Sequence, residues 1–300
     1  MKYYILYNPQ AGHGRGTVVA ETLRDEMGDA VLDMMDVTKI TNYSAFLEGK
    51  TDCSLILCGG DGTLNLFIND TADITIPCEV FYFAVGTGND FLRDICGQCT
   101  TDSPICITHY LENLPICEIN GKKYRFLNGI GYGIDGYCCE EGDRQRAAGK
   151  KKIDYTAIAI KGLLYDYKPT NAVVTVDGVT KEYKKVWLAP TMHGRYFGGG
   201  MMATPDQKRN HPENTVSLMV FHGLGKIRTL ILFPSIFKGG HVKKKKAVHI
   251  MTGHDITVEY DRPSPLQVDG ETIRNVKKYH VYQSVNVGAE SSKAEATVAQ

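Results

Sequence analysis

Three glycine-bearing stretches, each following a short apolar run, hold most of the early residues that could handle an anion. Asn8-Pro9-Gln10-Ala11-Gly12-His13-Gly14-Arg15-Gly16 follows residues 2–7, Gly59-Gly60-Asp61-Gly62-Thr63 follows 54–58, and Gly86-Thr87-Gly88-Asn89-Asp90 follows 80–85. Glycine allows positive φ and lets backbone N–H groups approach a phosphate closely, and a helix amino terminus behind such a loop adds partial positive charge. The first stretch alone could simply turn the chain. The second is more specific, because it leaves a concavity free of side chains except for one carboxylate, Asp61, which suits Mg2+ directly or through water. Thr63 can donate to a phosphate oxygen or cap the helix that follows. Much later, Leu266-Gln267-Val268-Asp269-Gly270-Glu271 sets two carboxylates two residues apart, on one side of a strand unless Gly270 breaks the regularity. A positioned carboxylate is the usual acceptor for the proton of an attacking hydroxyl.

The elements around these residues divide the chain. Residues 1–120 alternate strand-like runs at 2–7, 30–35, 54–58 and 80–85 with helical patterns at 17–27, 41–48 and from 64, the mark of a parallel α/β unit. Ligands of such sheets bind at the carboxyl ends of the strands, where all three loops fall. Residues 121–287 change character: β-rich runs at 123–129, 172–176, 183–190, 216–222, 247–251, 256–260 and 277–285 predict an antiparallel sandwich or barrel. Helical pieces at 151–164 and 226–237 interrupt it. The small, polar residues 288–300 read as a disordered tail.

The 300 residues are 43% hydrophobic and 23% charged, which excludes disorder, collagen and coiled coil. No apolar run reaches the ~18 residues of a membrane span, and the start lacks the apolar stretch of an export signal. The nine cysteines are therefore expected to be reduced, in the cytoplasm. Cys96-Gly97-Gln98-Cys99 followed by Cys106 and Cys117 does not have the paired spacing of a zinc site. The formal net charge of zero hides an asymmetry: residues 1–120 hold 6 Lys+Arg against 17 Asp+Glu, and the rest of the chain balances them. Either two domains differ in composition, or the basic half faces an anionic surface such as a membrane leaflet. Residues 224–237 carry Leu224, Ile227, Leu230, Ile231, Phe233 and Phe237, and four lysines follow at 243–246. That pattern suits an interfacial segment, or equally a helix packed on the sandwich beside solvated lysines.

The first stretch also resembles a dinucleotide fingerprint, with Asp36 twenty residues beyond Gly16, although its spacing is irregular. Taken together, GGDGT, the NPxAGxGxG pattern upstream and GTGNDF downstream resemble the diacylglycerol kinase catalytic-domain family, over nearly the whole chain to about Val287. The resemblance implies a Rossmann-like α/β nucleotide-binding domain followed by an antiparallel β-sandwich, with the last strand returning to the first domain and the active site in the cleft between. It implies ATP held by Asn8, Pro9, Gln10, Ala11 and Gly12, by Gly60, Asp61, Gly62, Thr63, Leu64, Asn65 and Leu66, and by Thr87, with Thr38 near the nucleotide. Asp61 and Asp90 would serve the catalytic Mg2+. Asp269 would be the general base and Glu271 its support, the reverse assignment staying open. Asn128 to Asp135 resembles the family's junction motif and turns Asp135 to the cleft, and the glycines at 198–200 resemble a stretch near the substrate entrance. The run from Asp206 to Glu213-Asn214 departs from the family pattern of a structural metal site, so no ligand is assigned there.

The function implied is ATP-dependent phosphorylation of diacylglycerol or a related lipid alcohol by a kinase peripherally bound to a membrane. No nucleic-acid partner is expected, and a homodimer stays open. GGDGT alone is shared with NAD kinases and phosphofructokinases. A NAD kinase-like enzyme with a soluble substrate is therefore the alternative, beside a nicotinamide-binding oxidoreductase and a catalytically silent lipid-binding protein.

Overall fold

The computed structural model of the chain describes residues 1–86, 88–150 and 152–283, so Thr87 and the expected tail at 288–300 lie outside the described residues. In chain order the first layer holds β1 (Tyr3–Tyr7), α1 (Gly16–Met27), β2 (Val31–Asp36), α2 (Tyr43–Leu47), β3 (Ser54–Gly59), α3 (Asp61–Asp70), β4 (Val80–Ala84), α4 (Asp90–Cys96) and β5 (Ile105–Cys106). Its sheet runs β2-β1-β3-β4-β5, parallel except for the antiparallel edge strand β5. β3 is buried along its whole length, as a strand covered on both faces must be. One core packs Leu57, Phe67, Tyr82 and Phe91 on one side, and another packs Ile5, Leu23, Ile56 and Val85 on the other. The strand order reverses between β1 and β3, which opens a crevice at their carboxyl ends.

The second layer comprises β6 (Ile116–Ile119), β7 (Lys122–Arg125), β8 (Gly129–Tyr132), α5 (Ile134–Ala147), α6 (Tyr155–Lys161), β9 (Thr170–Val176), β10 (Val179–Leu188), β11 (Thr191–Met192), β12 (Tyr196–Phe197), β13 (Met201–Met202), β14 (Val216–His222), α7 (Lys226–Leu232), β15 (Val248–Gly253), β16 (Asp255–Val268) and β17 (Glu271–Tyr282). Its ten-stranded sheet follows β7-β6-β17-β16-β8-β11-β14-β10-β9, with β15 on β14. β16 also pairs with β9, so the sheet closes on itself around Tyr132, Val174, Val258, Tyr260 and Tyr279. One strand serves two neighbours because its ladder breaks between Glu259 and Ser264, around Pro263, which has no N–H to donate. Its first half pairs with β9 and its second with β8.

Two expectations change here. The second sheet begins at Ile116, slightly before the expected division at 120. β17 does not return to the first sheet: it lies between β16 and β6, because Val276, Tyr279 and Val281 are buried in the second core. Helix α5 was not legible in the sequence. After Ile134 its buried positions are small or polar (Asp135, Gly136, Cys138, Gly142) rather than a periodic apolar stripe, and a Cβ on Gly136 would stand 2.1 Å from Pro265 O.

Candidate active site

The first two glycine stretches meet at the β1–β3 crevice. Asn8 Nδ2 donates to Thr63 Oγ1 at 3.2 Å, while Asn8 Oδ1 accepts from Gln10 N at 3.0 Å and Asn8 O from Ala11 N at 3.0 Å. Pro9 stands inside this turn, and Gly12 takes a φ of +57° hard against Val85, where a Cβ would lie 2.6 Å from the Val85 carbonyl. Across the crevice the backbones of Gly60 and Gly86 touch: a Cβ on Gly86 would lie 3.2 Å from Gly60 Cα. Behind Gly60, α3 presents the N–H groups of Asp61 and Gly62, which have no partner inside the helix, as an anion-binding terminus. The side chains of residues 63–66 go elsewhere. Thr63 bonds Asn8, Leu64 enters the core, Asn65 faces the second layer and Leu66 is partly exposed. Thr38 donates to Asp36 Oδ1 through its N–H (3.0 Å) and its hydroxyl (2.7 Å), just beyond the strand end paired with Tyr7.

At the third stretch the carboxylates take different places. Asp61, expected at the metal, accepts from Asp90 N (2.8 Å) and Phe91 N (3.1 Å), so it caps α4 and stands one step behind Asp90. Asp90 is 4% exposed; Oδ2 accepts from Gly199 N at 2.7 Å, and Oδ1 has no hydrogen-bond partner among the described residues. Burial, and then the charge of Asp61, push its pKa up to about 7 against the pull of Gly199, Arg93 and Gly200. Asp135, in the first turn of α5, is also buried, and its Oδ2 is likewise without a partner among the described residues. Burial pushes it up to about 6, with Gln267 pulling back.

Gly198, Gly199 and Gly200 join these two acids. All three have positive φ (60°, 80° and 110°), which favours glycine. A Cβ on Gly198 would lie 3.5 Å from Asp135 Oδ1, whereas one on Gly199 would meet nothing within 4 Å, so this loop faces open space. Asp90 Oδ1, without a partner among the described residues, and Asp135 Oδ1, beside Gly198, are the oxygens that would face a hard divalent cation; the unpartnered Asp135 Oδ2 points instead at Gly131, where a Cβ would lie 1.7 Å from it. Mg2+ typically takes one or two carboxylates and completes its shell with phosphate and water. Arg93, one turn beyond Asp90, borders the same loop and donates to Cys99 Sγ at 3.0 and 2.9 Å.

Asp269, expected as the general base, is an anchor between the layers. Its carboxylate accepts from Leu127 N (2.6 Å), Asn128 N (2.8 Å), Gly129 N (2.9 Å) and Asn65 Nδ2 (3.2 Å). Burial raises its pKa, and the same four donors pull it back. The turn that carries it is strained to fit, with Asp269 at φ 46°. Glu271, at the start of β17, is exposed.

Sequence reasoning missed a second interlayer joint. Asp94 on α4 pairs with Arg195 Nε and Arg209 Nε, each at 2.6 Å, and Arg209 is as buried as its partner. Arg209 also donates to Asn128 Oδ1 at 2.5 Å and to Leu127 O, and its guanidinium lies 4.9 Å from the Phe91 ring centre. The available signal was Asp94 one helical turn after Asp90, the same face of the same helix. The segment that departs from the metal pattern is held by side chains: Gln207 donates to Thr215 O at 2.7 Å and accepts from Ser217 Oγ at 2.6 Å. The cysteines of the described residues are all unpaired.

Comparison with known proteins places this arrangement. The model described as the diacylglycerol kinase catalytic domain matches residues 2–114, and the one described as the YegS C-terminal NAD kinase beta sandwich-like domain matches residues 128–284. The chain is 24% identical over 289 residues to a diacylglycerol kinase of Mycobacterium tuberculosis, covering 89% of this chain and 91% of that one. It is 23% identical over 300 residues to the Bacillus subtilis protein YtlR, a candidate lipid kinase, covering 90% and 93%. A crystal structure titled as a diacylglycerol kinase from Bacillus anthracis shares the fold with a TM-score of 0.60 at 20% identity, covering 94% of each chain.

Proposed function

The chain belongs to the family that joins a diacylglycerol kinase catalytic domain to a YegS-type β-sandwich-like domain, and on that premise we propose that it transfers the γ-phosphate of ATP to the hydroxyl of a lipid alcohol of the diacylglycerol class. One observation carries this reading: the α3 amino terminus and the Asn8 loop converge in the first layer, and Asp90 reaches across to the Gly198–Gly200 loop of the second. The unpaired cysteines support a reducing, cytoplasmic setting, with the substrate drawn from a membrane.

The triphosphate would lie on the N–H groups of Asp61 and Gly62 at the α3 terminus and against Gly12 of the Asn8 loop, whose Asn8, Gln10 and Ala11 N–H groups are already bonded within the protein, with Thr38 at its edge. Asp90 and Asp135 would hold Mg2+, which when bound neutralises charge on the β- and γ-phosphate oxygens. Asp61 keeps Asp90 in place. In the transfer, a bond forms from the lipid oxygen to the γ-phosphorus, the bond from that phosphorus to the β–γ bridging oxygen breaks, and ADP leaves. The hydroxyl proton goes to Glu271. That role falls to Glu271 because its carboxylate is exposed, whereas Asp269 already accepts four N–H groups and positions the hairpin against α3.

Incubation with γ-labelled ATP, Mg2+ and either dispersed diacylglycerol or NAD tests the proposal. Label is expected in phosphorylated lipid and not in the dinucleotide; label in the dinucleotide alone would favour the soluble-substrate reading.

A further inference from the structure

Helix α7 inverts the usual pattern of a surface helix. Thr229 is completely buried, while Ile227 and Ile231, one turn apart on one face, are 71% and 75% exposed. Leu230, Leu232 and Phe233 are only partly covered, and Phe237 is 47% exposed on the 3-10 turn that continues the helix. Lys226 Nζ reaches back to Leu164 O at 2.7 Å and ties α7 to the turn 162–166, whose Tyr165 is 71% exposed. Packing on the sandwich therefore explains the inner face of this segment but not the outer one.

The segment's own charge is of one sign, although Asp166 stands on the neighbouring turn 162–166 and Asp206 and Glu213 line a cavity with Lys245. Residues 224–246 contain Lys226, Arg228, Lys238 and the lysines at 243–246, and no Asp or Glu. Among the described residues none of these cations forms a salt bridge. No helix of the described residues is long and apolar enough to cross a membrane. Exposed isoleucines inside an unneutralised basic rim match the interfacial region of an anionic bilayer, where apolar side chains enter the acyl boundary and ammonium groups meet lipid phosphates. A second copy of the same surface would bring like charges together.

The segment also leads to the site. Gly239 packs on Met202 and Pro205 (a Cβ there would lie 3.2 and 2.9 Å away), and His241 Nε2 stands 2.9 Å from Ala203 O. Met201 and Met202 directly follow the glycine loop that borders Asp90 and Asp135.

We propose that α7 and the following turns, residues 224–246, are the surface that seats this protein on anionic membrane and turns the Gly198–Gly200 side of the cleft towards the lipid. The inference deepens the lipid-kinase reading, on which its purpose rests, but its test is independent of catalysis.

Sedimentation of the full chain with vesicles, without ATP, provides the test. Binding is expected to vesicles of equal phosphatidylglycerol and phosphatidylcholine, to weaken with salt, and to be absent with phosphatidylcholine alone. The double change Ile227→Asn with Ile231→Asn should weaken binding at least about tenfold. Each Lys→Gln change at 243–246 that faces the bilayer should cost about fivefold. Both variants should turn over a dissolved short-chain diacylglycerol as the wild type does. Equal binding to both vesicles, or unchanged binding of the isoleucine variant, would overturn the proposal. So would a wild-type dimer that the isoleucine variant makes monomeric while vesicle binding persists, because the face would then belong to a second copy. A protein that binds anionic vesicles but phosphorylates no lipid would overturn the kinase reading and leave this surface standing.

Discussion

Two buried carboxylate sites lie where the layers meet, and the fold treats them oppositely. At the β16–β17 turn, Asp269 accepts four N–H groups and joins three backbone segments. At the glycine loop, Asp90 and Asp135 each keep an oxygen with no partner among the described residues; burial raises the pKa of all three acids, so the contrast lies in the donors they have. A saturated carboxylate holds structure. A buried carboxylate left short of donors is a cost that a cation or substrate can repay, which is why strongly perturbed acids in clefts point to function.

The largest effect should come from Asp90→Asn. Turnover should fall by more than about a thousandfold, while removal of a buried charge raises the melting temperature of the ligand-free protein; calorimetry that found it lowered would erase the contrast. Glu271→Gln comes next, with kcat down by roughly 10²–10⁴-fold and stability unchanged. Asp269→Asn should behave the other way. Its new amide N–H faces donors, so unfolding measurements in urea should show a loss of about 2–4 kcal/mol; a fully stable but inactive Asp269→Asn protein would return the base to Asp269. The smallest effect is one of pH. Because Asp90 and Asp135 titrate above the ordinary aspartate value, their stabilising proton uptake is complete below that value and is lost as pH rises through about 6 and about 7. The same rise frees their oxygens, so Mg2+ should raise the melting temperature clearly near pH ~8 and hardly near pH ~5. A magnesium effect independent of pH would detach the cation from this pair.

Much of the architecture was legible locally. β1, β3 and β4 are short apolar runs ended by glycine turns, and their loops share one end of the sheet because parallel strands allow no other arrangement. Asp61 and Asp90 stood out because each belongs to a glycine-bearing stretch at the start of a helix. Helix α5 escaped because small residues make its contacts, and Asp94 because its arginine partners are 101 and 115 residues away. For Asp94 it was the long range of the contact, not its chemistry, that hid it.

By itself the amino-acid order determined the strand–loop–helix grammar of the first layer, the switch to antiparallel strands and the set of acids available for chemistry, since each rests on neighbours within a turn or a strand. Only the tertiary structure decided which acid is saturated with donors and which is left open. Asp269 and Glu271 look alike two residues apart, but hydrogen-bond donors from residues 65 and 127–129 saturate one and leave the other exposed. The exposure of Ile227 and Ile231 over a buried Thr229 was settled in the same way. Periodicity shows that a helix has an apolar face, but the surface it packs against decides which face stays in water.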